Sequence, residues 1–176
     1  FIRYLTKFTG LYTALFVFPK PLVAALNGHT IAGGCMLSLS CDWRVMVSGK
    51  SRIALNEIDF GASLFAGSVE MMRFQAGSAN AEKAILSGRM YAPEEAFELG
   101  IVSEVVSEAD LEMRARAKAL EMASKDPAAF RSIKLLSRKD TAETMKRKER
   151  DSILEFVEIW YSENTWSRLQ EKKIHS

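Results

Sequence analysis

Two prolines, a short apolar run and a pair of glycines near the amino-terminal end place the strongest limits on the fold. Pro19 and Pro21 lack a backbone N–H, so they end any helix that reaches them. The apolar run 22–26 that follows predicts a short strand buried on both faces, as in a covered parallel sheet. Gly33-Gly34 lets the backbone turn sharply and open a helix. A strand followed closely by a helix start is therefore expected here.

The rest of the chain reads as further strands and then mostly as helix. Apolar residues spaced by three and four over 1–16 predict an amphipathic helix, within which the chain is expected to begin. Strands are predicted at 43–48, 52–55 and 101–106, and glycines at 77, 88 and 100 are expected to end helices. Pro93-Glu94-Glu95 suits a first helical turn. The helices predicted beyond residue 107 cover 108–124, 127–137 and 141–170.

Composition excludes several classes of partner. Basic and acidic residues nearly balance, 24 against 22, which argues against nucleic acid. No apolar stretch approaches the ~20 residues that cross a bilayer, so no membrane partner is expected. Cys35 and Cys41 suit a buried helix face in a reducing compartment better than a disulfide. We expect a cytoplasmic location, or a mitochondrial or peroxisomal one in a eukaryote; any targeting segment lies outside the visible sequence.

Three motifs in order resemble the enoyl-CoA hydratase/isomerase, or crotonase, family. The first is the segment 20–44, which reads K-P, then G, then a small-G-G run, and finally C-D. The second is N-E-x-x-x-G at 56–61. The third is L-x-G-x-x-x-x-A-x-E-A-x-x-x-G-I-V at 86–102. Each motif is weak alone, but their order and spacing together are specific.

The resemblance implies an α/β fold with two parts. Residues 1–106 would form the carboxy-terminal part of a spiral of ββα units, and 107–176 a helical trimerisation region. It also implies a further amino-terminal part, with a loop that donates a second oxyanion amide. The implied ligand is an acyl-CoA thioester, with no separate cofactor because coenzyme A is part of the substrate. A homotrimer or dimer of trimers is expected, with Phe156, Trp160 and Trp166 covered by another subunit or by the further segment.

The glycine pair is the first candidate for chemistry. A backbone N–H at a helix start stabilises a thioester oxygen as negative charge develops on it. The resemblance assigns Gly33 this role, with Ala32 and Gly34 beside the substrate because no large side chain blocks its approach. A tight strand-to-helix turn with close packing is the alternative explanation of the same residues.

Glu57 is the second candidate. It follows a predicted strand and precedes an apolar segment, and desolvation there would raise its proton affinity towards that of a neutral-pH acid/base. By resemblance it occupies the acid/base position of both hydratases and isomerases. The alternative is an ordinary solvated glutamate in a loop.

Met36 departs from the hydratase pattern. Hydratases of the family place a second glutamate at this position, where two carboxylates activate one water, and a thioether cannot act as a base. The resemblance is therefore closest to Δ3-Δ2 enoyl-CoA isomerases, which shift a 3-enoyl double bond to trans-2. Met36 is also compatible with a plain core role. A hydratase, another crotonase-type lyase or hydrolase, and a non-catalytic binding protein remain alternatives.

Each remaining candidate residue has a structural explanation as well as a functional one. Phe60, Leu64 and Phe65 either line an acyl tunnel or belong to the core. Asp59 is either a second carboxylate of the site or a solvated loop charge. No metal site is expected, because His29 and His175 lack partners at ligand spacing. Lys172 and Lys173 either meet a CoA phosphate or form a solvated helix end.

Overall fold

The computed structural model describes residues 1–171, whose backbone forms short parallel strands and a larger set of helices. The helices are α1 (Ile2–Phe16), α2 (Gly33–Leu39), α3 (Ala66–Ala76), α4 (Ser78–Ser87), α5 (Pro93–Glu98), α6 (Leu111–Ala123), α7 (Pro127–Trp160) and α8 (Glu163–Glu171). The strands are β1 (Val23–Leu26), β2 (Thr30–Ile31), β3 (Trp43–Val47), β4 (Ile53–Ala54) and β5 (Glu104–Val106). Two 3₁₀ turns cover Glu57–Phe60, named the Glu57 turn below, and Glu108–Asp110.

The strands form two parallel sheets. One has the order β1-β3-β5, and the other pairs β2 with β4. Leu26 is buried as predicted, but Ala25 is exposed, so the expectation that β1 is buried on both faces is wrong. The reason is that Ala25 lies on the sheet face next to α6, where it opens onto a groove that this helix leaves uncovered. The predicted strands 43–48 and 52–55 are confirmed as β3 and β4, which lie in different sheets.

Glycine positions account for most helix ends. Gly77, Gly88 and Gly100 all have positive φ, at 76°, 61° and 79°, and each follows or closes a helix as predicted. Pro93 opens α5, where Glu95 accepts a hydrogen bond from the backbone N–H of Ala92 at 2.9 Å. These local signals work because glycine tolerates the left-handed region that a helix end requires.

The long helix α7 differs from the sequence expectation. A break between 137 and 141 was predicted, yet one helix runs unbroken from Pro127 to Trp160. No glycine lies in it and no proline beyond Pro127 at its first position, and it packs against α1 and α3. The break comes instead at Tyr161 and Ser162, before α8. Neither α7 nor any other helix within residues 1–171 is long and apolar enough to cross a membrane.

The main core lies where α1, α2, α3 and α7 meet. Its largest members with under 2% exposure include Tyr12, Phe16, Leu39, Met71 and Met145. On α7, Phe156 is covered by this chain itself, because its ring lies 4.7 Å from that of Phe65 and 6.3 Å from that of Phe1. Trp166 on α8 is 46% exposed. Whether another subunit covers this surface stays a prediction.

A buried ionic cluster fastens α7 to the strand region. Asp42 accepts hydrogen bonds from the Leu22 N–H at 2.7 Å and from Lys134 Nζ at 2.8 Å. Its other oxygen lies 3.1 Å from the Arg138 guanidinium, which also donates to the Phe16 carbonyl at 2.7 Å. All three charged side chains are less than 8% exposed. The cluster therefore joins α1, β1 and α7 in the interior.

Candidate active site

The two residues predicted to carry the chemistry, Gly33 and Glu57, follow strands that end at the same edge of the β2–β4 sheet. Strands β2 and β4 run parallel, and the pairing continues past them, because the Ala32 N–H donates to the Ala54 carbonyl at 2.9 Å. Helix α2 begins immediately after β2, and the Glu57 turn begins shortly after β4. Adjacent parallel strands deliver their carboxyl ends to the same edge of a sheet, where α/β proteins commonly bind ligands. Gly33 and Glu57 are brought together in this way.

Ala32 adopts an unusual backbone conformation, with φ 50° and ψ −118°. It is the only non-glycine residue with positive φ in the part of the chain that the structure describes. Such strain in a residue with a side chain persists only where surrounding structure imposes it, and it concentrates at functional sites. Rotation at Ala32 sets the direction of the next peptide, which carries the Gly33 N–H.

The Gly33 N–H is available for an external acceptor. Gly33 is the first residue of α2, so its N–H has no acceptor within the helix; the helical bonding begins with the Met36 N–H, which donates to the Ala32 carbonyl at 2.9 Å. Gly33 is half-buried and Gly34 is exposed. The amide therefore has the access and the helix-start position that an oxyanion donor needs.

An aromatic side chain that sequence reasoning did not single out stands beside this amide. A Cβ atom added at Gly33 would lie 3.4 Å from Cζ of Phe8. The Phe8 ring stacks on Tyr4 at 6.5 Å between centroids and meets Tyr12 edge-on at 5.6 Å. The four-residue spacing of these three rings along α1 is visible in the sequence. The proximity of the Phe8 ring to Gly33, by contrast, depends on how α1 packs on α2.

Glu57 is not a solvated loop residue. Its side chain is buried, with 4% exposure, and its Oε2 has no hydrogen-bond partner among the described residues. Burial raises the pKa of Glu57 to about 7 from an ordinary 4.5, although a hydrogen bond with its own backbone lowers it in part. The alternative of an ordinary exposed glutamate is therefore wrong. A carboxyl group with this pKa both accepts and returns a proton near neutral pH.

Neighbouring groups place the Glu57 carboxylate close to α2. The buried Cys35 thiol has a raised pKa, first because of burial and second because of the nearby Glu57 charge. The side-chain oxygen of Asn56 also lacks a hydrogen-bond donor within the described chain. Buried acceptors are nearly always satisfied in native proteins, so two adjacent ones without donors indicate a place for a proton, a water or a ligand.

The other predicted residues are placed as follows. Phe65 is buried on Phe156, Phe60 meets Trp160 edge-on at 6.4 Å, and Leu64 packs against the main core, so all three contribute to packing. Met36 is 2% exposed within the core. A role of these residues along an acyl tunnel stays a prediction.

The remaining polar candidates are exposed or lie beyond the described chain. His29 and Asp59 are exposed. Within residues 1–171, no three His, Cys, Asp or Glu side chains cluster in a way that would hold a metal ion. Lys172, Lys173 and His175 lie outside the described residues.

Comparisons with protein families and with individual proteins were made for the whole chain. The family described as Enoyl-CoA hydratase/isomerase matches residues 3–164. The mouse protein named enoyl-CoA delta isomerase 1, mitochondrial, is 33% identical over 153 residues, which cover 86% of this chain and 53% of that protein. The Escherichia coli 2,3-dehydroadipyl-CoA hydratase is 37% identical over 126 residues, covering 70% of this chain and 48% of the relative.

A solved structure shows the same fold. The human mitochondrial delta3-delta2-enoyl-CoA isomerase superposes with a TM-score of 0.85 at 30% identity, covering 93% of this chain and 64% of that one. The predicted crotonase-like α/β fold is thereby confirmed. The chain spans about half the length of the mouse and E. coli relatives. The family profile, the two sequence relatives and the shared fold lead to one conclusion: this chain belongs to the enoyl-CoA hydratase/isomerase family.

Proposed function

We propose that the protein is an enoyl-CoA isomerase that converts 3-enoyl-CoA to trans-2-enoyl-CoA. The observation that carries this proposal is a buried Glu57 carboxyl, with one oxygen unpartnered among the described residues, at the same sheet edge as the Gly33 N–H that starts α2. Glu57 would remove a proton from C2 of the acyl chain and return it at C4. The substrate would be an acyl-CoA thioester, with no separate cofactor.

The Glu57 carboxyl and the Gly33 N–H would act at opposite ends of the same movement of negative charge. When Glu57 takes the C2 proton, negative charge moves to the thioester oxygen and a dienolate forms. A fixed N–H at that oxygen stabilises the dienolate, and one such donor typically contributes ~10²–10³ in rate. Glu57 then delivers its proton to C4, which leaves the double bond between C2 and C3. No net acid or base is consumed.

Met36 favours isomerisation over hydration. By resemblance, hydratases of the family carry their second glutamate at this position. This chain has the buried thioether of Met36 there instead. Hydration needs a water that is held and deprotonated, for which one carboxylate is less effective than two. The similarity to the mouse protein named as an isomerase supports the same choice.

A hydratase is the second candidate, and it has a specific observation in its favour. The E. coli relative, which is 37% identical to this chain, is named as a hydratase. This function would require a second water-binding group besides Glu57. Asp59 is exposed and faces Gly88 of α4, where a Cβ atom would lie 2.5 Å from the Asp59 carboxylate. That position does not favour Asp59 as the second group.

Assembly and location are also proposals. We propose a homotrimer or dimer of trimers formed through the helical region 107–176. The mouse relative is named as a mitochondrial protein, which supports a mitochondrial location if this protein is eukaryotic.

The decisive test compares two rates on one acyl chain length. Purified protein should isomerise 3-enoyl-CoA much faster than it hydrates trans-2-enoyl-CoA. Glu57→Gln should lower isomerisation by ~10² or more, because it removes the positioned proton-transfer group. Glu82→Gln, an exposed substitution on α4, should leave the rate unchanged. Hydration equal to or faster than isomerisation contradicts the proposal, as does near-normal isomerisation by Glu57→Gln.

A further inference from the structure

Helix α8 packs directly on the Glu57 turn through a buried hydroxyl. Thr165 is fully buried, and its Oγ1 donates to the Gly61 carbonyl at 2.6 Å. The Ile159 carbonyl lies 2.8 Å from the same hydroxyl, and Ser162 Oγ lies 3.2 Å away. Gly61 is 104 residues distant in sequence, so this hydrogen bond is a tertiary link rather than a local cap.

Gly61 is coupled to Glu57 by the backbone of the turn. It ends the turn in the left-handed region, with φ 77°. Its N–H donates to the Ile58 carbonyl at 3.2 Å, and the N–H of Ala62 donates to the Glu57 carbonyl at 3.0 Å. A displacement of the Gly61 peptide therefore moves the backbone that carries the Glu57 side chain.

The opposite side of the turn is held by α4. A Cβ atom at Gly88 would lie 2.7 Å from Cγ2 of Ile58, so the backbone after α4 touches the turn closely. On the α8 side, the Thr165 Cα would lie 3.5 Å from a Cβ atom at Gly61. The turn is thus held between Gly88, which directly follows α4, and Thr165 of α8. Gly88 contributes contact only, whereas Thr165 also contributes a hydrogen bond.

We infer that Thr165 is a positioning residue for Glu57: its hydroxyl fixes the Gly61 peptide and holds α8 over the turn, which keeps water away from the carboxylate. Removal of the Thr165 hydroxyl takes this donor away from the Gly61 carbonyl, and polar groups in folded proteins rarely stay without a partner, so the closed contact is preferred over an open one. The inference rests on the proposed acid/base role of Glu57, because orientation and desolvation matter only for a residue that transfers a proton.

Three ionisable side chains within residues 1–171 bear on the titration of Glu57. Asp59 lies on the turn itself, Cys35 faces it from α2, and Arg168 approaches Gly61 from α8. Thr165→Val changes none of these charges and keeps the side-chain shape. A change in the Glu57 pKa in this variant therefore reports on solvent access rather than on a new electrostatic neighbour.

The test compares Thr165→Val with wild type by ¹³C NMR of the glutamate carboxyl groups and by hydrogen exchange of the Ala62 N–H. We expect the Glu57 pKa to fall by about one unit or more towards the ordinary value as water enters. The Ala62 N–H should exchange at least about tenfold faster, because the turn opens more often. Thr165→Ser, which keeps the hydroxyl, should match wild type in both the Glu57 pKa and the Ala62 exchange rate. Ser167→Ala, at an exposed position on α8, should change neither quantity.

Activity gives an independent readout. Thr165→Val should lower kcat for isomerisation by about tenfold with little change in KM, since misplacement of a reacting group affects the chemical step. The NMR and exchange measurements do not depend on turnover. If the protein proves not to be an isomerase, these two measurements still decide whether Thr165 holds and desolvates the turn.

A folded Thr165→Val protein with an unchanged Glu57 pKa and unchanged Ala62 exchange overturns the inference. If the variant does not fold, the wild type is measured in low concentrations of denaturant. The amides of α8 and the Ala62 amide should then open together with one free energy. Exchange of α8 at concentrations where Ala62 stays protected contradicts the inference.

Discussion

Two properties of Glu57 together distinguish it from an ordinary exposed glutamate. It is 4% exposed, and its unpartnered oxygen leaves the ionised form without a donor in the described chain. Burial without compensation disfavours charge, which is why its pKa rises to about 7. The folded protein therefore holds a proton that the unfolded chain releases at lower pH. Such a group is poised for proton transfer and lowers stability at neutral pH.

Stability should fall as pH rises because of this residue. The unfolded glutamate ionises near 4.5 and the folded one near 7, so the stability present below pH 4.5 is lost progressively up to pH 7. The loss amounts to about 3 kcal/mol. Urea unfolding of wild type and Glu57→Gln at pH 4.5 and pH 8 measures it, since glutamine does not titrate. Parallel pH dependence in the two proteins contradicts the assignment.

The distance along the chain between a residue and its partners explains which features could be predicted from the sequence. Gly33 and Glu57 could be singled out as candidates because their motifs are local, and the glycines at 77, 88 and 100 were predicted correctly because each ends a helix. The burial of Glu57 was suggested by its apolar neighbours in sequence. Phe8 and Thr165 were missed because their partners, Gly33 and Gly61, are far away along the chain.

At the scale of elements, the start of α3 shows how closely three helices approach. The Gly67 N–H donates to Glu149 of α7 at 2.8 Å, and the other carboxylate oxygen of Glu149 accepts from the Tyr12 hydroxyl of α1 at 2.5 Å. A Cβ atom at Gly67 would lie 2.6 Å from that hydroxyl. The absence of a side chain at Gly67 is therefore required for α1, α3 and α7 to meet.

Adding one methyl group at this meeting point should be destabilising. Gly67→Ala should lower the free energy of unfolding by about 2 kcal/mol, because the surrounding hydroxyl and carboxylate must shift. Gly10→Ala serves as the matched control. Gly10 is an exposed glycine of α1 with open space around it, and there alanine should stabilise by up to about 1 kcal/mol through helix propensity. Urea denaturation of both variants checks the opposite signs.

Elements also show where local patterns stop being informative. Strands β2 and β4 contain two residues each, too few for any periodicity to reveal β2. The break predicted between 137 and 141 in α7 falls on a polar stretch of the sequence. That stretch remains helical because α7 rests on α1 and α3, and packing outweighs weak propensity.

For the whole molecule, the Asp42 cluster joins distant parts of the chain. Its lysine and arginine come from α7, its carboxylate precedes β3, and it also accepts from the backbone just before β1. The cluster crosses the predicted boundary between 1–106 and 107–176. These two regions are therefore held together by interior polar bonds as well as by apolar packing.

Removing the Asp42 charge should affect stability far more than removing a surface carboxylate. Asp42→Asn leaves Lys134 and Arg138 buried without their counter-ion, which is expected to lower the free energy of unfolding by about 3–5 kcal/mol. Glu143→Gln removes an exposed pair with Lys139, separated by 3.9 Å, and should change it by less than about 1 kcal/mol. Thermal unfolding of both variants tests the contrast. Equal losses would contradict the assigned role of the cluster.

The pairing of β2 with β4 has a consequence for fluctuations of the molecule. The same few backbone bonds, from Thr30 to Arg52 at 2.7 Å and from Ala32 to Ala54 at 2.9 Å, align both the Gly33 peptide and the chain leading to Glu57. Opening these bonds would release the Ala32 backbone and move the Glu57 turn away from the Gly33 peptide in one event. We therefore expect these segments to open as a single cooperative unit, with a local opening free energy that amide exchange can measure.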